Sequence, residues 1–475
     1  MFINQKTWKM KKIITILILF LCTLTGNLFA QWSELGGLNS FGADSTIMSI
    51  CNDSAGNIYA GGLFDNSSLN WYVGKYNGSS WNELGGLNAL AANYNIWTVC
   101  SYGTGKIYAA GGFENINSHR YVAKFNGSTW SELGGISGLH ASGDIYALCL
   151  DSSGNVYAAG DFINNNNRQY VAKYNGTSWS ELGGPNALGA NGYIWSICSD
   201  SSGNIYAAGD FIYNGSYCVV KYDGNTWSEL GGIMYLANSV IKSICSDVAG
   251  NIYAAGNFTN SSGYQFVYKY DGTSWSELGG LNSLSANGEI EKIFSDGAGN
   301  IYASGDFYNS SGHAYVAKFD GTSWSEIGGL NALAPNCSIY SICKDMPGNI
   351  YAAGCFTNGI NPHFGHNYIA KYNFATDLDN KSISSSNDIL EFPNPASNLL
   401  TLSLPDNNIK LLTINLYDML GSQLTMDNGQ LTRMPMSSGM SIVHCPLSIE
   451  KLPQGIYFLE VIMDGEKVVR KVVKM

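Results

Sequence analysis

The sequence predicts an all-β protein: a seven-bladed β-propeller of four-stranded blades, followed by a small Ig-like β-sandwich. A stretch close to Trp-Ser-Glu-Leu-Gly-Gly occurs seven times, and its tryptophans are 48 or 49 residues apart. Within each repeat, four short segments alternate apolar and polar residues between turn-forming residues, a pattern that indicates antiparallel strands. Repeats of this length with four strands each are typical of propeller blades.

The composition argues against several classes of protein. Of the 475 residues, 45% are apolar and 13% are charged, which is enough apolar surface for a folded core and argues against disorder. The net charge of −11 argues against a nucleic-acid partner, because proteins that bind nucleic acid carry a basic surface. No apolar run of membrane-spanning length follows the N-terminal segment, so we expect no transmembrane segment in the mature chain.

Residues 1–30 have the pattern of a signal peptide. Lys9 and Lys11 precede a continuous apolar run, and residues 28–30 form a cleavage site directly before Gln31. We therefore expect the chain to be exported, with the mature protein beginning near Gln31.

Residues 31–373 form the predicted propeller, and the fourth repeat illustrates its blade. The four strands, named a to d in chain order, have the sequences Ile-Trp-Ser-Ile-Cys, Asn-Ile-Tyr-Ala-Ala-Gly, Cys-Val-Val-Lys-Tyr and Thr-Trp-Ser-Glu-Leu. Residues 200–204 join strand a to strand b, and residues 223–226 join strand c to strand d. In each turn a glycine supplies the positive φ that a tight hairpin needs.

The two ends of this region differ from the regular repeat. Residues 32–36 form a d strand that precedes any a strand, whereas the last repeat stops at Asn373, after its c strand. We expect residues 32–36 to complete the last blade and close the ring, which leaves no exposed strand edge.

Residues that recur in every repeat are expected to hold the ring together. The Phe after strand b, the Tyr in strand b and the Trp in strand d would each contribute about 1.5–3 kcal/mol when buried. A Cys occupies one position of strand a in six repeats and Phe294 replaces it in the other, so we expect a packing role for this Cys. The Lys of strand c and the Glu of strand d are expected to form a repeated surface ion pair.

The repeats resemble those of Kelch-type propellers over about residues 32–373. In the second repeat, Ile107–Gly112 is an apolar run that ends in a glycine pair, and Phe125 and Trp130 follow at about the Kelch spacing. The other repeats keep the first glycine of the pair and replace the second by Leu, Asp, Asn or Cys. The resemblance implies the propeller architecture and leaves the function open, since propellers serve many functions.

The residues that vary between repeats are the candidates for function. The b–c and d–a loops vary and lie on one face of a propeller, where binding residues usually reside. One position inside strand a also varies, and we expect it at the mouth of the central channel: Met48, Trp97, Tyr146, Trp195, Lys242, Glu291 and Tyr340. This set is suited to stack on and hydrogen-bond a flat polar ligand such as a sugar. The alternative is that these side chains only pack between blades.

Signatures of catalysis are scarce in the sequence. No nucleophile-elbow, zinc or phosphate-loop motif occurs. His363 and His366 form a loop pair without a third ligand, which favours polar surface over a metal site. Arg120 and Arg168 are the two arginines of the propeller, too few for a sialidase-like carboxylate clamp. We therefore expect no catalytic residue, no metal and no cofactor.

Cys337 and Cys355 are the one disulfide candidate. Cys337 begins strand a and Cys355 ends strand b of the last blade. A hairpin that turns at residues 346–348 would make them cross-strand neighbours.

The C-terminal region has a different composition. Residues 374–388 are a Ser-, Asn- and Asp-rich linker, and residues 389–475 alternate apolar and polar residues as a separate β-sandwich. This region resembles the type A C-terminal sorting domain of type IX secretion, at motifs that include Pro393, Asn394, Pro395, Gly421, Gly455 and Tyr457. The resemblance implies transport by the type IX secretion machinery of a Gram-negative bacterium, to the cell surface or the extracellular space.

These observations predict an exported propeller that acts as a binding or adhesion module, for example for a glycan or a surface protein. Seven similar blades present repeated weak sites whose combined avidity exceeds the affinity of any one. Two alternatives stay open. One is a secreted glycan-active enzyme, which needs a polar, charge-paired pocket on the axis. The other is a structural spacer, in which the variable positions have no role.

Overall fold

A computed structural model describes residues 31–373, apart from four gaps, together with the strands of the C-terminal region. The gaps are residues 38–39, 232–236, 331 and 359–364. The chain divides into two compact units, of which one is Ala30–Phe374 and the other contains Ala375–Met475. The predicted signal peptide and linker lie outside the described residues.

Seven antiparallel sheets of four strands form the first unit, which confirms the predicted seven-bladed propeller. Hydrogen bonds join the strands of each blade in the order a-b-c-d, and the a strands of neighbouring blades contact one another around the centre. The strands of blades 1 to 3 are β2 (Ile47–Asn52), β3 (Ile58–Gly62), β4 (Gly74–Tyr76) and β5 (Trp81–Glu83); β6 (Ile96–Tyr102), β7 (Lys106–Gly111), β8 (Ala123–Phe125) and β9 (Trp130–Glu132); and β10 (Ile145–Leu150), β11 (Val156–Gly160), β12 (Ala172–Tyr174) and β13 (Trp179–Glu181).

Blades 4 to 6 repeat this arrangement, and blade 4 has an additional short hairpin in its b–c loop. Their strands are β14 (Ile194–Ser199), β15 (Ile205–Gly209), the hairpin β16 (Ile212–Tyr213) and β17 (Ser216–Tyr217), β18 (Val220–Tyr222) and β19 (Trp227–Glu229); β20 (Ile241–Ser246), β21 (Ile252–Gly256), β22 (Tyr268–Tyr270) and β23 (Trp275–Glu277); and β24 (Ile290–Ser295), β25 (Ile301–Gly305), β26 (Ala317–Phe319) and β27 (Trp324–Glu326). Short 3-10 helices follow the d strands of blades 1 to 3, at Gly86–Asn88, Gly135–Ser137 and Gly184–Asn186.

Blade 7 combines the two ends of the propeller region. Its strands are β28 (Ile339–Lys344), β29 (Ile350–Gly354), β30 (Ala370–Asn373) and, as strand d, β1 (Gln31–Glu34). In the antiparallel ladder between β1 and β30, Trp32 lies opposite Tyr372. The N-terminal strand therefore supplies the outer strand that the last repeat lacks.

A hydrogen bond from each strand-d tryptophan links neighbouring blades. Its indole Nε1–H donates to the backbone carbonyl that follows strand d of the preceding blade, at 2.9–3.3 Å in all seven cases. The pairs are Trp32 with Ile327, Trp81 with Leu35, Trp130 with Leu84, Trp179 with Leu133, Trp227 with Leu182, Trp275 with Leu230, and Trp324 with Leu278. The repeated Trp thus fixes the position of each blade on the next.

The apolar core lies between the blades. The Phe after strand b is at most 1% exposed in every blade. Between blades 1 and 2, Tyr59 and Val73 of blade 1 pack against Ile96 and Phe113 of blade 2, and the repeated cysteine Cys51 is partly buried against this cluster. Buried apolar contacts therefore join each blade to the next around the ring.

In six of the seven blades a buried or half-buried aspartate holds the a–b turn; blade 2 has Tyr102 at this position. In blade 4, Asp200 Oδ1 accepts hydrogen bonds from the N–H groups of Ser202 and Asn204, and Asp200 Oδ2 accepts from Asn204 Nδ2 and from the Tyr206 hydroxyl at 2.9 Å. Burial alone would raise the pKa of Asp200. The hydrogen bonds from Asn204 and Tyr206 outweigh burial, so the pKa lies below its ordinary value of 3.8.

The predicted ion pair between the strand-c Lys and the strand-d Glu is wrong. In blade 3, Lys173 lies opposite Ser180, and Glu181 follows Ser180 and therefore points to the other face of the sheet. Lys173 Nζ instead lies 5.5 Å from the centroid of the Tyr157 ring. Glu181 accepts a hydrogen bond of 2.8 Å from Asn164 and so anchors the b–c loop.

The described residues of the C-terminal unit form nine strands in two antiparallel sheets. The first sheet consists of β31 (Leu390–Phe392), β32 (Leu399–Pro405), β35 (Asp427–Asn428), β36 (Thr432–Pro435) and β37 (Ser441–Ser448), and the second of β33 (Leu412–Tyr417), β34 (Gln423–Leu424), β38 (Gly455–Met463) and β39 (Glu466–Lys474). Their packing as an Ig-like sandwich stays a prediction. None of the helices in the described part of the chain has the length and apolar character needed to cross a membrane.

Replacement of Trp32 by Phe is expected to destabilise the propeller by about 1–3 kcal/mol, because the carbonyl of Ile327 loses its buried donor. Trp179→Phe removes the equivalent bond to Leu133 within the continuous chain and should have a similar effect. Urea unfolding measures both variants. A Trp32 variant as stable as the parent would contradict closure of the ring by β1.

The turn aspartates are expected to make the propeller sensitive to acid. Because the folded-state pKa of Asp200 is lowered, its carboxylate contributes stability above the ordinary value of 3.8, and that contribution is lost as the pH falls through the folded pKa. Asp200→Asn should lower the free energy of unfolding by about 1–3 kcal/mol near neutral pH and by much less in strong acid. Thermal unfolding over a pH series measures this difference. An equal loss of stability at every pH would contradict a contribution from the ionised carboxylate.

Candidate ligand-binding site at the channel mouth

A β-bulge at the start of every a strand directs the variable residue out of the sheet. In blade 2, Ile96 lies opposite Gly111 and Thr98 lies opposite Ala110, so Trp97 between them has no partner in strand b. An extra residue of this kind bends the strand and re-aims its side chain. The same register shift occurs in all seven blades.

The glycine that ends strand b permits this bulge. A Cβ atom at Gly111 would lie 2.2 Å from the backbone oxygen of Asn95, far inside van der Waals contact. The equivalent glycines of the other blades meet the backbone before strand a equally closely, for example 2.2 Å for Gly305 and the oxygen of Glu289. The invariant glycine is therefore a requirement of the bulge, and the bulge positions the site.

Trp97, Tyr146 and Trp195 form a continuous series of rings over blades 2 to 4. The centroids of Trp97 and Tyr146 are 6.0 Å apart in an edge-to-face arrangement, and those of Tyr146 and Trp195 are 4.4 Å apart and stacked. Lys242 of blade 5 continues the series, with its Nζ 4.7 Å from the centroid of the Trp195 ring. All four side chains are half-buried, so they pack on one another and keep part of their surface accessible.

Carboxylates continue this series over blades 5 to 7. Lys242 Nζ lies 3.5 Å from a carboxylate oxygen of Glu289. Burial raises the pKa of Glu291 to about 7; Lys242 opposes this rise, and the charges of Glu289 and Asp306 add to it. Burial and the nearby charge of Glu291 in turn raise the pKa of the Tyr340 hydroxyl.

Four of the seven predicted residues therefore contact one another in turn, and charge interactions connect Glu291 with Lys242 and with Tyr340. We call these six residues the channel-mouth arc: Trp97, Tyr146, Trp195, Lys242, Glu291 and Tyr340. Met48 occupies the same bulge position in blade 1, and within the described part of the chain no ring or charge contact joins it to the arc.

Two further sets of residues flank the arc, and the sequence analysis missed them. They are the residue before strand a and the residue after the strand-b glycine, which meet at the bulge; in blade 3 the N–H of Asp161 donates to the carbonyl of Asp144 at 2.9 Å. The Asp144 carboxylate accepts a hydrogen bond of 3.0 Å from Trp97 Nε1 and pairs with Arg120 at 3.4 Å. Both positions vary between repeats beside an invariant Ile and Gly, and that variation is the signal that would have found them.

Among the described residues around the arc, carboxylates outnumber cations. Burial and the charge of Asp144 raise the pKa of Asp161, as expected where like charges gather. Two cations near the arc are already engaged, Lys242 by Glu289 and Arg120 by Glu114 at 3.0 Å. A ligand at this mouth therefore meets ring surfaces and hydrogen-bond acceptors.

The loops beside the arc are tied together by backbone hydrogen bonds. In blade 1 the N–H and carbonyl of Trp71 pair with those of Ala92, in the next d–a loop, at 3.0 and 2.9 Å. The same bridge occurs at Arg120–Ala141, Gln169–Ala190, Tyr217–Ala237, Gln265–Ala286 and Asn367–Ala43. These bridges fix the positions of neighbouring loops on the variable face.

A wide cleft on the opposite face is a weaker candidate. It has a volume of about 510 Å³ and lies where the a–b turns of blades 7 and 1 meet. Its polar side chains are already occupied: Asp345 accepts hydrogen bonds from Asn349 and Tyr351, and Lys371 lies over the Tyr351 ring. It adjoins the uniform turns and offers little chemistry for a ligand.

Cys337 and Cys355 form a disulfide in blade 7, with Cα atoms 5.4 Å apart. His366 is exposed in the b–c loop of the same blade, and His363 lies outside the described residues. Within the described ranges, no group of three or more His, Cys, Asp or Glu is arranged to hold a metal ion.

The predicted sorting residues lie partly within the described strands. Gly455 begins β38, and Tyr457 in the same strand is buried. Pro393, Asn394, Pro395 and Gly421 lie outside the described residues.

Two parts of the chain match known families. Residues 391–475 match the secretion system C-terminal sorting domain. Residues 100–246, from strand a of blade 2 to strand a of blade 5, match the Rax2 C-terminal beta propeller domain. No curated protein matches the chain. The matches confirm the sorting domain and the propeller, and the Kelch-type resemblance stays a prediction.

The chain is therefore a secreted β-propeller that carries a type IX sorting domain. This domain implies handling by the type IX secretion machinery and export to the cell surface or the extracellular space.

Glu291 is expected to make the fold less stable as the pH rises. Its pKa is raised from an ordinary 4.5 to about 7, so the folded state disfavours the ionised carboxylate. The contribution of Glu291 to the free energy of unfolding should fall as the pH rises between these two values and stay constant above them. Glu291→Gln should remove this part of the pH dependence, as measured by chemical unfolding at several pH values.

Glu277→Gln is the matched control, because Glu277 lies in strand d of blade 5, away from the arc. This variant keeps Glu291 and should therefore retain the fall in stability over the same interval. An unchanged slope in the Glu291 variant as well would contradict the assignment.

Proposed function

We propose that this secreted propeller is a carbohydrate-binding adhesion module that holds its ligand at the channel-mouth arc. The observation that carries the proposal is the unbroken contact from Trp97 through Tyr146 and Trp195 to Lys242. It lies on the face whose loops differ between blades, while the remainder of each blade is nearly constant.

The chemistry of the arc matches the two kinds of surface that a sugar presents. The C–H face of a sugar ring is apolar and stacks on aromatic rings, which Trp97 and Trp195 supply. The sugar hydroxyls need acceptors, and the carboxylates of Asp144 and Glu289 lie next to these rings or to Lys242. A mainly apolar surface with a few placed polar groups is typical of small-ligand sites.

Packing between blades accounts poorly for the charged members of the arc. Lys242 and Glu291 are half-buried, and partial burial of a charge is unfavourable without compensation. The neighbouring position in strand a is Ile in all seven blades and is fully buried, as a packing role requires. The arc position varies in size and charge, which indicates a role other than packing.

A hydrolytic role fits this geometry less well. The carboxylates beside the arc are already engaged: Glu289 pairs with Lys242 at 3.5 Å, and Asp144 accepts a hydrogen bond from Trp97 and pairs with Arg120. Glycoside hydrolysis needs two carboxyl groups that are free to act on the substrate, one as acid and one as nucleophile or base.

A glycan array probed with the mature full-length chain tests the proposal. The parent should bind a defined set of glycans, and a Trp97→Ala, Trp195→Ala double variant should lose at least about tenfold in affinity, which corresponds to about 1.4 kcal/mol. Tyr264→Ala is the control, because Tyr264 is a 41% exposed aromatic residue on a loop outside the arc. It should bind as the parent does.

Urea unfolding of each variant shows whether the propeller is still folded. Absence of glycan binding by the parent, or unchanged binding by the folded double variant, would overturn the proposal.

A further inference from the structure

Blade 6 departs from the repeat at a position next to the central channel. The residue after the bulge in strand a is small in every other blade, and the seven residues are Ser49, Thr98, Ala147, Ser196, Ser243, Lys292 and Ser341. Lys292 therefore places a long cationic side chain where the other blades have a hydroxyl or a methyl group. Because strand a is the innermost strand, this side chain lies beside the channel.

The serines at this position have a defined task. Their Oγ atoms accept hydrogen bonds from the backbone N–H two places after the bulged residue in the next blade, at 3.0–3.1 Å: Val99 to Ser49, Ile244 to Ser196, Ile293 to Ser243 and Ile50 to Ser341. The corresponding N–H beside blade 6 is that of Ile342 in blade 7. A lysine side chain can only donate hydrogen bonds, so Lys292 cannot accept from this N–H as the serines of the other blades do.

A second polar substitution lies directly across from Lys292. In the ladder of blade 6, Lys292 pairs with Ser304, where five other blades have Ala and one has Gly. Ser304 is 0% exposed, and its Oγ has no hydrogen-bond partner among the described residues. Cross-strand partners point to the same face of a sheet, so both side chains face blade 7.

Nothing in the described part of the chain neutralises Lys292. Its ammonium group forms no ion pair or hydrogen bond there; burial lowers its pKa from the ordinary 10.5, and the neighbouring thiols are those of Cys198, Cys245 and Cys343. These thiols belong to blades 4, 5 and 7, so the ammonium group lies where several a strands converge. Burial raises the pKa of the Cys245 thiol to about 12, so this group is a neutral S–H near neutral pH. Glu291, the preceding residue, interacts with Lys242 instead.

We propose that a small monovalent anion of the halide class binds beside Lys292, in the central channel between blades 6 and 7. The donors around it are the Lys292 ammonium group, the Ile342 N–H, the Ser304 hydroxyl and the neighbouring thiols. One cation among neutral donors compensates one negative charge. A divalent anion would keep a second charge without a partner in an apolar surrounding, which is unfavourable. This site is separate from the channel-mouth arc, and its test does not depend on the proposed function.

Bromide locates such a site directly. Crystals of the full-length mature chain grown with sodium bromide should show an anomalous scattering peak within about 3.5 Å of Lys292 Nζ. The variant Lys292→Ser restores the residue that four other blades carry at this position and is therefore expected to fold. It should show no peak. Absence of a peak in the parent overturns the proposal.

Thermal unfolding gives an independent measurement in solution. At constant ionic strength, the parent should melt about 2–4 °C higher in sodium bromide or chloride than in sodium gluconate, at roughly ten times the dissociation constant of the anion. Lys292→Ser should lose this difference. Lys221→Ser, which removes a lysine from strand c far from the channel, should keep it. The same salt response in the Lys292 variant as in the parent would contradict the site.

Discussion

The hydrogen bond between the indole of one blade and the backbone of the preceding blade is the contact on which the rest of the structure depends. An indole N–H can only donate, so burying it against the neighbouring blade demands one particular acceptor and therefore one relative position of the two blades. Repetition of that position around seven blades generates the ring. It also brings the innermost strands to a common distance from the axis and so creates the channel and its mouth.

The fold and the candidate site are connected through the bulge. The strand-b glycine allows strand a to carry one residue more than its partner strand, and the ladder does not use that residue. The buried isoleucine before it and, in six blades, the small residue after it maintain contact with the neighbouring blades. One position per blade therefore has no partner in the strand ladder, and these seven positions lie at the channel mouth.

The architecture could be predicted because the relevant signals are local: a fixed repeat length, alternation within strands, and turns marked by glycine. The variable arc position was visible for a similar reason, as a change inside an otherwise constant strand. The stacking of Tyr146 on Trp195 and the bond from Trp97 to Asp144 could not be predicted, because they depend on how the bulge aims side chains across blade boundaries. The incorrect ion pair has a simpler cause. Lys173 and Glu181 are close in the blade but lie on opposite faces of its sheet.

Closure of the ring by the first strand sets an order of events during folding. The bond from Trp32 to Ile327 joins residues 295 positions apart, and β1 finds its partner strand only at residues 370–373. Contacts between such distant residues form slowly, because a long loop must close first. The ring is therefore completed only when the whole propeller region is available. Until then the outer edge of β30 is unpaired, and an unpaired strand edge is open to association with other chains.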